Sequence, residues 1–456
     1  MFADTAKNHI DMCQGPLFGK LVQFYFPLLG SFILQRIFNA ADLIVVGRFA
    51  SSEAMAAIGT TGSLTGLLIN CFIGLSTGSN IIVAYHYGAK NERKTSLATH
   101  TAIAMSLICG LLIGLLFYFC SGPVLRLMSA PPDILELSTL YMKICSLGMP
   151  FLIIYNFGSA ILRSVGDTRN PLIYLTIAGV INVVLNIIFV VAFHWDVAGV
   201  ALATAISQAI SAILVLRELH RTDDSCRLVW HKLAIDGRLC LDIIRVGLPA
   251  GIGSCCFSLS NIVIQATVNT FGTITIAGNA IAADIENFMY ATALGLHHTA
   301  LTFTSQNNGQ KLYARIKRTI LLCLLLGLVV SNGLGLLCCL FGRQLMSIYT
   351  PSLEVIEAVI VRIYIMQSVY GLTSAMEIST GALRGLGYSL LPTLISLFFA
   401  CIFRLLWIWL ILPHFRTYAC LIFSYPCSWA ACATVNFLFF YHIMRKRTQP
   451  LITVRT

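Results

Sequence analysis

Residues Ser159 to Gly179 read SAILRSVGDTRNPLIYLTIAG, and the pattern returns 221 positions later as TGALRGLGYSLLPTLISLFFA, Thr380 to Ala400. Leu162, Arg163, Gly166 and Pro171 of the first stretch match Leu383, Arg384, Gly387 and Pro392 of the second. Gly74, Gly88 and Lys90 match Gly295, Gly309 and Lys311 at the same offset, and Pro27 and Asn39 match Pro249 and Asn261 at an offset of 222. Chance matches between apolar runs scatter in offset, so a nearly constant one marks an internal repeat.

What repeats is a set of apolar helices. Hydrophobic residues make up 57% of the 456 and charged residues 11%, with a mean hydropathy of +0.82; soluble domains carry roughly 25% charged residues. Twelve apolar segments of spanning length follow one another at 20–46, 54–86, 96–121, 136–162, 172–194, 197–217, 243–271, 275–305, 318–341, 355–381, 390–412 and 417–443. The expectation is an all-α polytopic membrane protein, with no alternating pattern of a barrel. The longest polar connection, Arg217 to Arg238, falls between spans six and seven. The expected parts are an N-terminal segment 1–19, a first lobe 20–217, a connection 218–242, a second lobe 243–443 and a tail 444–456. Six spans return the chain to its starting side, so the two six-helix repeats run parallel, as in secondary transporters. The opening segment carries Asp4, Lys7 and Asp11 and lacks the apolar core of a secretory signal, so the first span is expected to stay in the mature chain.

Lysine and arginine set the orientation. With the N-terminus inside, inner segments hold 22 of them, from Lys7 to Arg455, while the outer loops hold only Arg48, Arg126, Arg343 and Arg416. The positive-inside bias places both termini in the cytoplasm and accounts for the net charge of +11. Because these charges are scattered over loops, no nucleic-acid partner is expected.

Asp42 lies in RIFNAADLIVVGRF, Arg36 to Phe49, near the end of the first apolar run. A carboxylate at membrane depth costs a few kcal/mol and usually faces a bundle interior or a wet cavity; an interfacial carboxylate is the structural alternative. Asn182 and Asn186, spaced i, i+4, share a face of span five. Asn186 lies 15 residues beyond Pro171 and Asp42 lies 15 beyond Pro27, a depth of ~22 Å in both cases. Span six runs back inward after HWD and places Thr204 at a similar level. Interhelical hydrogen bonding is the competing reading for the asparagines.

With those residues stands a resemblance. PLLGSFILQRIFNAADLIVVGRFASSEAMAAIG in span one, LRSVGDTRNP after span four, INVVLNIIFV in span five, TFTSQNNGQK after span eight and ALRGLGYSLLP after span ten are similar, in order, to multidrug and toxic compound extrusion (MATE) transporters. The resemblance covers roughly 15–445. It implies a V-shaped pair of six-helix lobes, alternating access, and export of lipophilic, often cationic, compounds against inward Na+ or H+. It also implies a cation site in the first lobe at Asp42, Asn182, Asn186 and Thr204. Asn186 departs from the aspartate found in many relatives, which leaves one carboxylate for a monovalent cation or a proton.

In the second lobe, GLPAGIGSCCFSLSN of span seven lacks the glutamate that some MATE proteins carry. Span eight reads AADIENFMYATALGLHH, which makes Asp284, Glu286, His297 and His298 secondary candidates. Glu286 is the cavity candidate by resemblance to bacterial relatives. Asp284 is a candidate for pairing with Arg404 or Arg36, and the histidines are more often hydrogen-bonded helix residues than proton carriers. Close helix packing is expected at Gly74–Gly78, Gly110–Gly114 and Gly247–Gly251, and bends at Pro27 and Pro249.

No Walker motif and no nucleophile–base pattern is present, and the sixteen cysteines lack zinc-ligand spacing. The expectation is a monomeric, non-enzymatic antiporter in the plasma membrane with small organic substrates, the lipid bilayer as its surroundings, and no cofactor or metal beyond the coupling ion. The alternative is a flippase for a lipid-linked saccharide of the same superfamily; a membrane enzyme or channel is the remaining class.

Overall fold

The computed structural model describes residues 9–128 and 131–448, apart from the side chains at 43, 52, 63, 64, 67, 68 and 259. Asp4, Lys7 and Arg455, and the ends of the 1–19 segment and the 444–456 tail, lie outside the described residues. Among those described, the regular structure is helical: α1 (Leu17–Phe49), α2 (Ser52–Gly88), α3 (Glu92–Leu127), α4 (Pro132–Ser164), α5 (Arg169–Asn186), α6 (Asp196–Arg221), α7 (Gly237–Val268), α8 (Thr273–Gly309), α9 (Tyr313–Leu340), α10 (Gly342–Ser347), α11 (Leu353–Gln367), α12 (Gly371–Gly385), α13 (Leu390–Leu397), α14 (Phe403–Leu410) and α15 (Tyr418–Thr448). The twelve apolar segments fall on these helices. Nine helical spans are individually long and apolar enough to cross a bilayer, and α11 with α12 forms a tenth, bent by 47°. The segment 355–381, expected as one span, is therefore broken at Ser368–Tyr370, where no proline stands to announce it. The remaining two segments are α2 and α8, each 37 residues long.

The repeat is written into the backbone. Helices α2 and α8 begin and end at positions 221 apart, and α4 coincides at that offset with the span of α11 and α12. Gly166 (φ 96°) and Gly387 (φ 92°) take the same left-handed turn after it, and Lys90 (φ 55°) and Lys311 (φ 59°) take the turn after α2 and α8. Left-handed backbone costs a lysine roughly 1 kcal/mol, and both halves tolerate it at the same turn.

The chain forms two compact units, one of Met1–Asp11 with Phe26–Gly251 and the other of Met12–Tyr25 with Ile252–Thr456. Both boundaries inside a helix fall within two residues of a proline, Pro27 of α1 and Pro249 of α7. In the first unit the connection after α6 packs down with Cys226 and Leu228 buried, and His100 and Thr101 of α3 accept the backbone N–H groups of Val229 (3.1 Å) and Asp236 (3.0 Å). The opening stretch of α7 belongs there too. A Cβ on Gly74 would lie 2.2 Å from the Gly251 nitrogen, and one on Gly78 2.4 Å from the Ile243 oxygen, so α2 and α7 meet backbone to backbone. Gly110 and Gly114 bring α3 onto Pro150 and Ser146 of α4 in the same way. Such contacts replace a hydrophobic driving force that lipid does not supply.

In the second unit the opening of α1 packs through Phe24, edge-on to Phe303 at 5.6 Å, and through Tyr25, whose hydroxyl donates to the Thr292 carbonyl. Arg315 donates to the carbonyls of Met12, Gln14 and Gly15 ahead of that helix. Ile356, Ile363, Met366, Tyr425 and Trp429 are part of the unit's apolar core.

Candidate functional site

In the first unit, α1 and α5 lie against each other in a register that the small residues fix. Gly30 meets Leu172, and the Phe38 ring lies where a Cβ on Gly179 would sit, 1.9 Å from it. Asp42 is one turn beyond Phe38, and Asn182 and Asn186 are one and two turns beyond Gly179 on the same face. The close contact thus delivers Asp42 to Asn186: the Asn186 amide donates to Asp42 Oδ1 at 2.6 Å and to Asn182 Oδ1 at 3.3 Å. Asn182 and Asn186 are buried, and Asp42 is half-buried. The Asn186 side-chain oxygen is buried without a hydrogen-bond partner among the described residues.

What surrounds the trio is apolar. Val45 and Val46 of α1, Val190 of the turn after α5 and Val200 of α6 pack as a buried cluster, with Tyr141 of α4 against it. The sequence offered no spacing by which to find Tyr141. Directly after Asn186 the chain widens into a π-helical turn, Ile187–Ala192; such turns recur at functional sites. Beyond it, the Asp196 carboxylate accepts the Ser51 backbone N–H (3.0 Å) and hydroxyl (2.7 Å), tying the α5–α6 connection to the α1–α2 turn. Thr204 is not hydrogen-bonded to the trio; its hydroxyl donates to the Val200 carbonyl at 3.0 Å.

In the second unit the candidates separate. Glu286 accepts two hydrogen bonds from Arg362 of α11, at 2.8 Å from Nε and 2.6 Å from Nη2. The Arg362 side chain is buried and that of Glu286 partly so, with exposures of 6% and 13%. Arg362 also donates to Asn279 Oδ1, which accepts from the Tyr418 hydroxyl as well. Asp284 stands exposed on α8, and its expected pairing with Arg404 is not formed. Instead, the Arg404 guanidinium lies 4.2 Å from the centre of the Tyr425 ring and donates to the Ser428 hydroxyl. An aromatic face and a hydroxyl can hold a buried cation where no carboxylate is within reach.

His297 makes the contact that sequence reading did not foresee. Its Nδ1 lies 2.9 Å from Glu377 Oε2 of α12, the Tyr290 hydroxyl donates to Glu377 Oε1 at 2.9 Å, and Arg384 Nη1 lies 3.4 Å from His297 Nε2. His298 is buried beside it with the two rings edge to face at 5.3 Å. Glu377 is the one carboxylate in GLTSAMEISTGALRG, and its isolation in an otherwise uncharged run before Arg384 was the available signal. Among the described residues no group of three or more His, Cys, Asp or Glu side chains could hold a metal ion.

Comparison with known proteins bears on the family and the fold. The MatE family model matches residues 27–188 and 249–410, one match in each repeat. The probable multidrug resistance protein YoeA of Bacillus subtilis is 27% identical over 382 residues, covering 82% of each chain. The FAD transporter of Shewanella oneidensis is 24% identical over 379 residues, covering 80% of this chain and 81% of that one. Among solved structures, a MOP superfamily transporter from Pyrococcus furiosus, described as having a binding pocket of reverse polarity, superposes with a TM-score of 0.90 at 20% identity, over 98% of this chain and 100% of that one.

Proposed function

This chain belongs to the MatE family of membrane transporters, and from that premise we propose that it is a secondary antiporter. It exports lipophilic, often cationic, organic compounds in exchange for Na+ or H+ by alternating access. It does so as a monomer in the plasma membrane, with both termini in the cytoplasm. The observation that carries this reading is the Asp42–Asn186 contact, in which one carboxylate stands beside a buried amide oxygen that has no hydrogen-bond partner among the described residues.

The chemistry follows from the donor set. Asp42, Asn182 and Asn186 supply only oxygens toward a cation, a set suited to a hard monovalent ion, and Asp42 alone can take a proton. An empty carboxylate in apolar surroundings is costly, so an arrangement that exposes it to water is favoured until a cation arrives. A cation that binds one arrangement better than the other shifts the balance between them, and a gradient of that cation then drives the cycle. The relative named as a multidrug resistance protein favours export over the lipid-linked saccharide flippase.

The test is purified protein in liposomes loaded with ethidium, with an imposed Na+ or H+ gradient. Gradient-driven movement of ethidium and several unrelated lipophilic cations is the expected result. No movement of any of them, with insertion verified, refutes the reading.

A further inference from the structure

We propose that Arg36 is a recognition site for an anionic group of the transported molecule, so that the substrates include amphiphiles bearing a carboxylate, sulfonate or phosphate on an apolar body. This inference rests on the exporter reading and names a substrate class for it. Arg36 is exposed in the middle of α1 and forms no hydrogen bond or ion pair among the described residues. At 100° per residue it lies about 160° around the helix from Phe38, whose ring is against α5, and about 120° from Asp42. It therefore points away from the side that builds the cation site.

Depth decides what it can face. With α1 centred on a ~30 Å hydrocarbon core, Arg36 is about 5 Å from the midplane, too far for its guanidinium to snorkel to either interface. An arginine there facing lipid costs several kcal/mol, so such residues line aqueous paths and mark substrate routes. The nearer interface is ~10 Å from Arg36, beyond the reach of its side chain, so lipid headgroup phosphates cannot be its permanent partner. Asn39, three residues on, is also exposed and adds an amide on one side of Arg36, and exposed Ile37 and Ile44 add apolar surface on the other. A guanidinium beside an amide and two isoleucines is matched by an anionic head on an apolar body, because its planar fork accepts two oxygens at once.

The experiment uses full-length protein in nanodiscs and two dyes, carboxyfluorescein as the anion and ethidium as the cation, with binding read by fluorescence polarisation. Arg36→Gln is expected to weaken carboxyfluorescein binding by about tenfold or more and Arg36→Lys by less, with ethidium binding unchanged. Equal carboxyfluorescein affinity in wild type and Arg36→Gln overturns the inference, as does a wild type that binds ethidium alone. Gradient-driven efflux of both dyes in liposomes separates the two readings. If ethidium moves and carboxyfluorescein is ignored, this inference falls and the exporter stands. If carboxyfluorescein binds through Arg36 and neither dye moves with any gradient, the exporter reading falls and the site stands.

Discussion

Asn186 holds Asp42 at 2.6 Å through its amide nitrogen while its oxygen, buried on the same side chain, accepts nothing among the described residues. The asparagine thereby fixes the carboxylate and still has a ligand to offer. Substitutions at the two positions separate these roles. Asp42→Asn keeps the volume and removes the charge, so insertion survives and gradient-driven efflux falls to the background of empty liposomes. Asn186→Ala removes a neutral ligand and is expected to cost about tenfold in coupling. Initial efflux rates at matched protein content measure both, and wild-type rates in Asp42→Asn would dismiss the mechanism.

The α1–α5 contact makes a stability prediction. Gly179→Ala places a methyl group inside the Phe38 ring, and overpacking of this kind costs roughly 1–3 kcal/mol. A lower thermal midpoint in detergent is the expected result. Adding Phe38→Ala to Gly179→Ala should destabilise less than the sum of the two single changes, because the methyl then occupies vacated space. Strict additivity would mean that the two residues do not touch.

Arg362 and Glu286 form a buried pair, so either single change is predicted to be worse than both together. Glu286→Gln leaves an uncompensated guanidinium and Arg362→Met an uncompensated carboxylate, each worth ~3–5 kcal/mol. The double variant should recover most of that loss. Thermal midpoints of the four proteins in one detergent test it, and a double variant as unstable as the worse single one would count against a paired role.

The segment before α1 should be tied down in a pH-dependent way. His9 Nδ1 lies 3.0 Å from Asp224 Oδ2, which also accepts from the Tyr87 hydroxyl at 2.8 Å. Hydrogen bonding to Asp224 raises the His9 pKa above its ordinary 6.5. Burial pushes Asp224 up, but its hydrogen bonds with His9, Tyr87 and the Ser225 N–H outweigh that and hold it at about 2. A raised histidine contributes fully below pH 6.5 and is lost as pH rises through its folded value; a lowered carboxylate contributes above its ordinary 3.8 and is lost as pH falls toward 2. Amide exchange near Ile10, corrected for intrinsic rates, should therefore be slowest between about pH 4 and 6.5 and faster near pH 9. Asp224→Asn should remove most of that dependence, and an unchanged profile would exclude the pair as its source.

How much of this was legible in the sequence depends on the reach of each interaction. The repeat was readable because matching residues, Gly166 with Gly387 and Pro171 with Pro392 among them, recur at one nearly constant offset. Asn182 and Asn186 were readable because i, i+4 is a local rule, and their meeting with Asp42 followed from counting depth from Pro27 and Pro171. Arg362 and Glu286 are 76 residues apart on helices whose relative rotation no local rule fixes, so their pairing was invisible, as was that of His297 with Glu377. The break between α11 and α12 escaped because its cause is tertiary: Gly335 of α9 presses on the Gln367 carbonyl, and the Asn332 side chain accepts the Gly371 N–H at 2.7 Å. Neither contact leaves a proline or a charge at the bend.

The meeting of α2 and α7 at Gly74 and Gly251 has a consequence for biosynthesis. The first unit takes Gly237–Gly251 from beyond the long connection, so a ribosome that has released six spans has not yet made all the pieces of that unit. The nascent first half must wait in the bilayer, with the glycine faces of α2 uncovered, until α7 as far as Gly251 has left the exit tunnel. A gene cut between Arg221 and Gly237 would yield a first polypeptide that cannot close on its own, and the two fragments would have to be made together to give a folded protein.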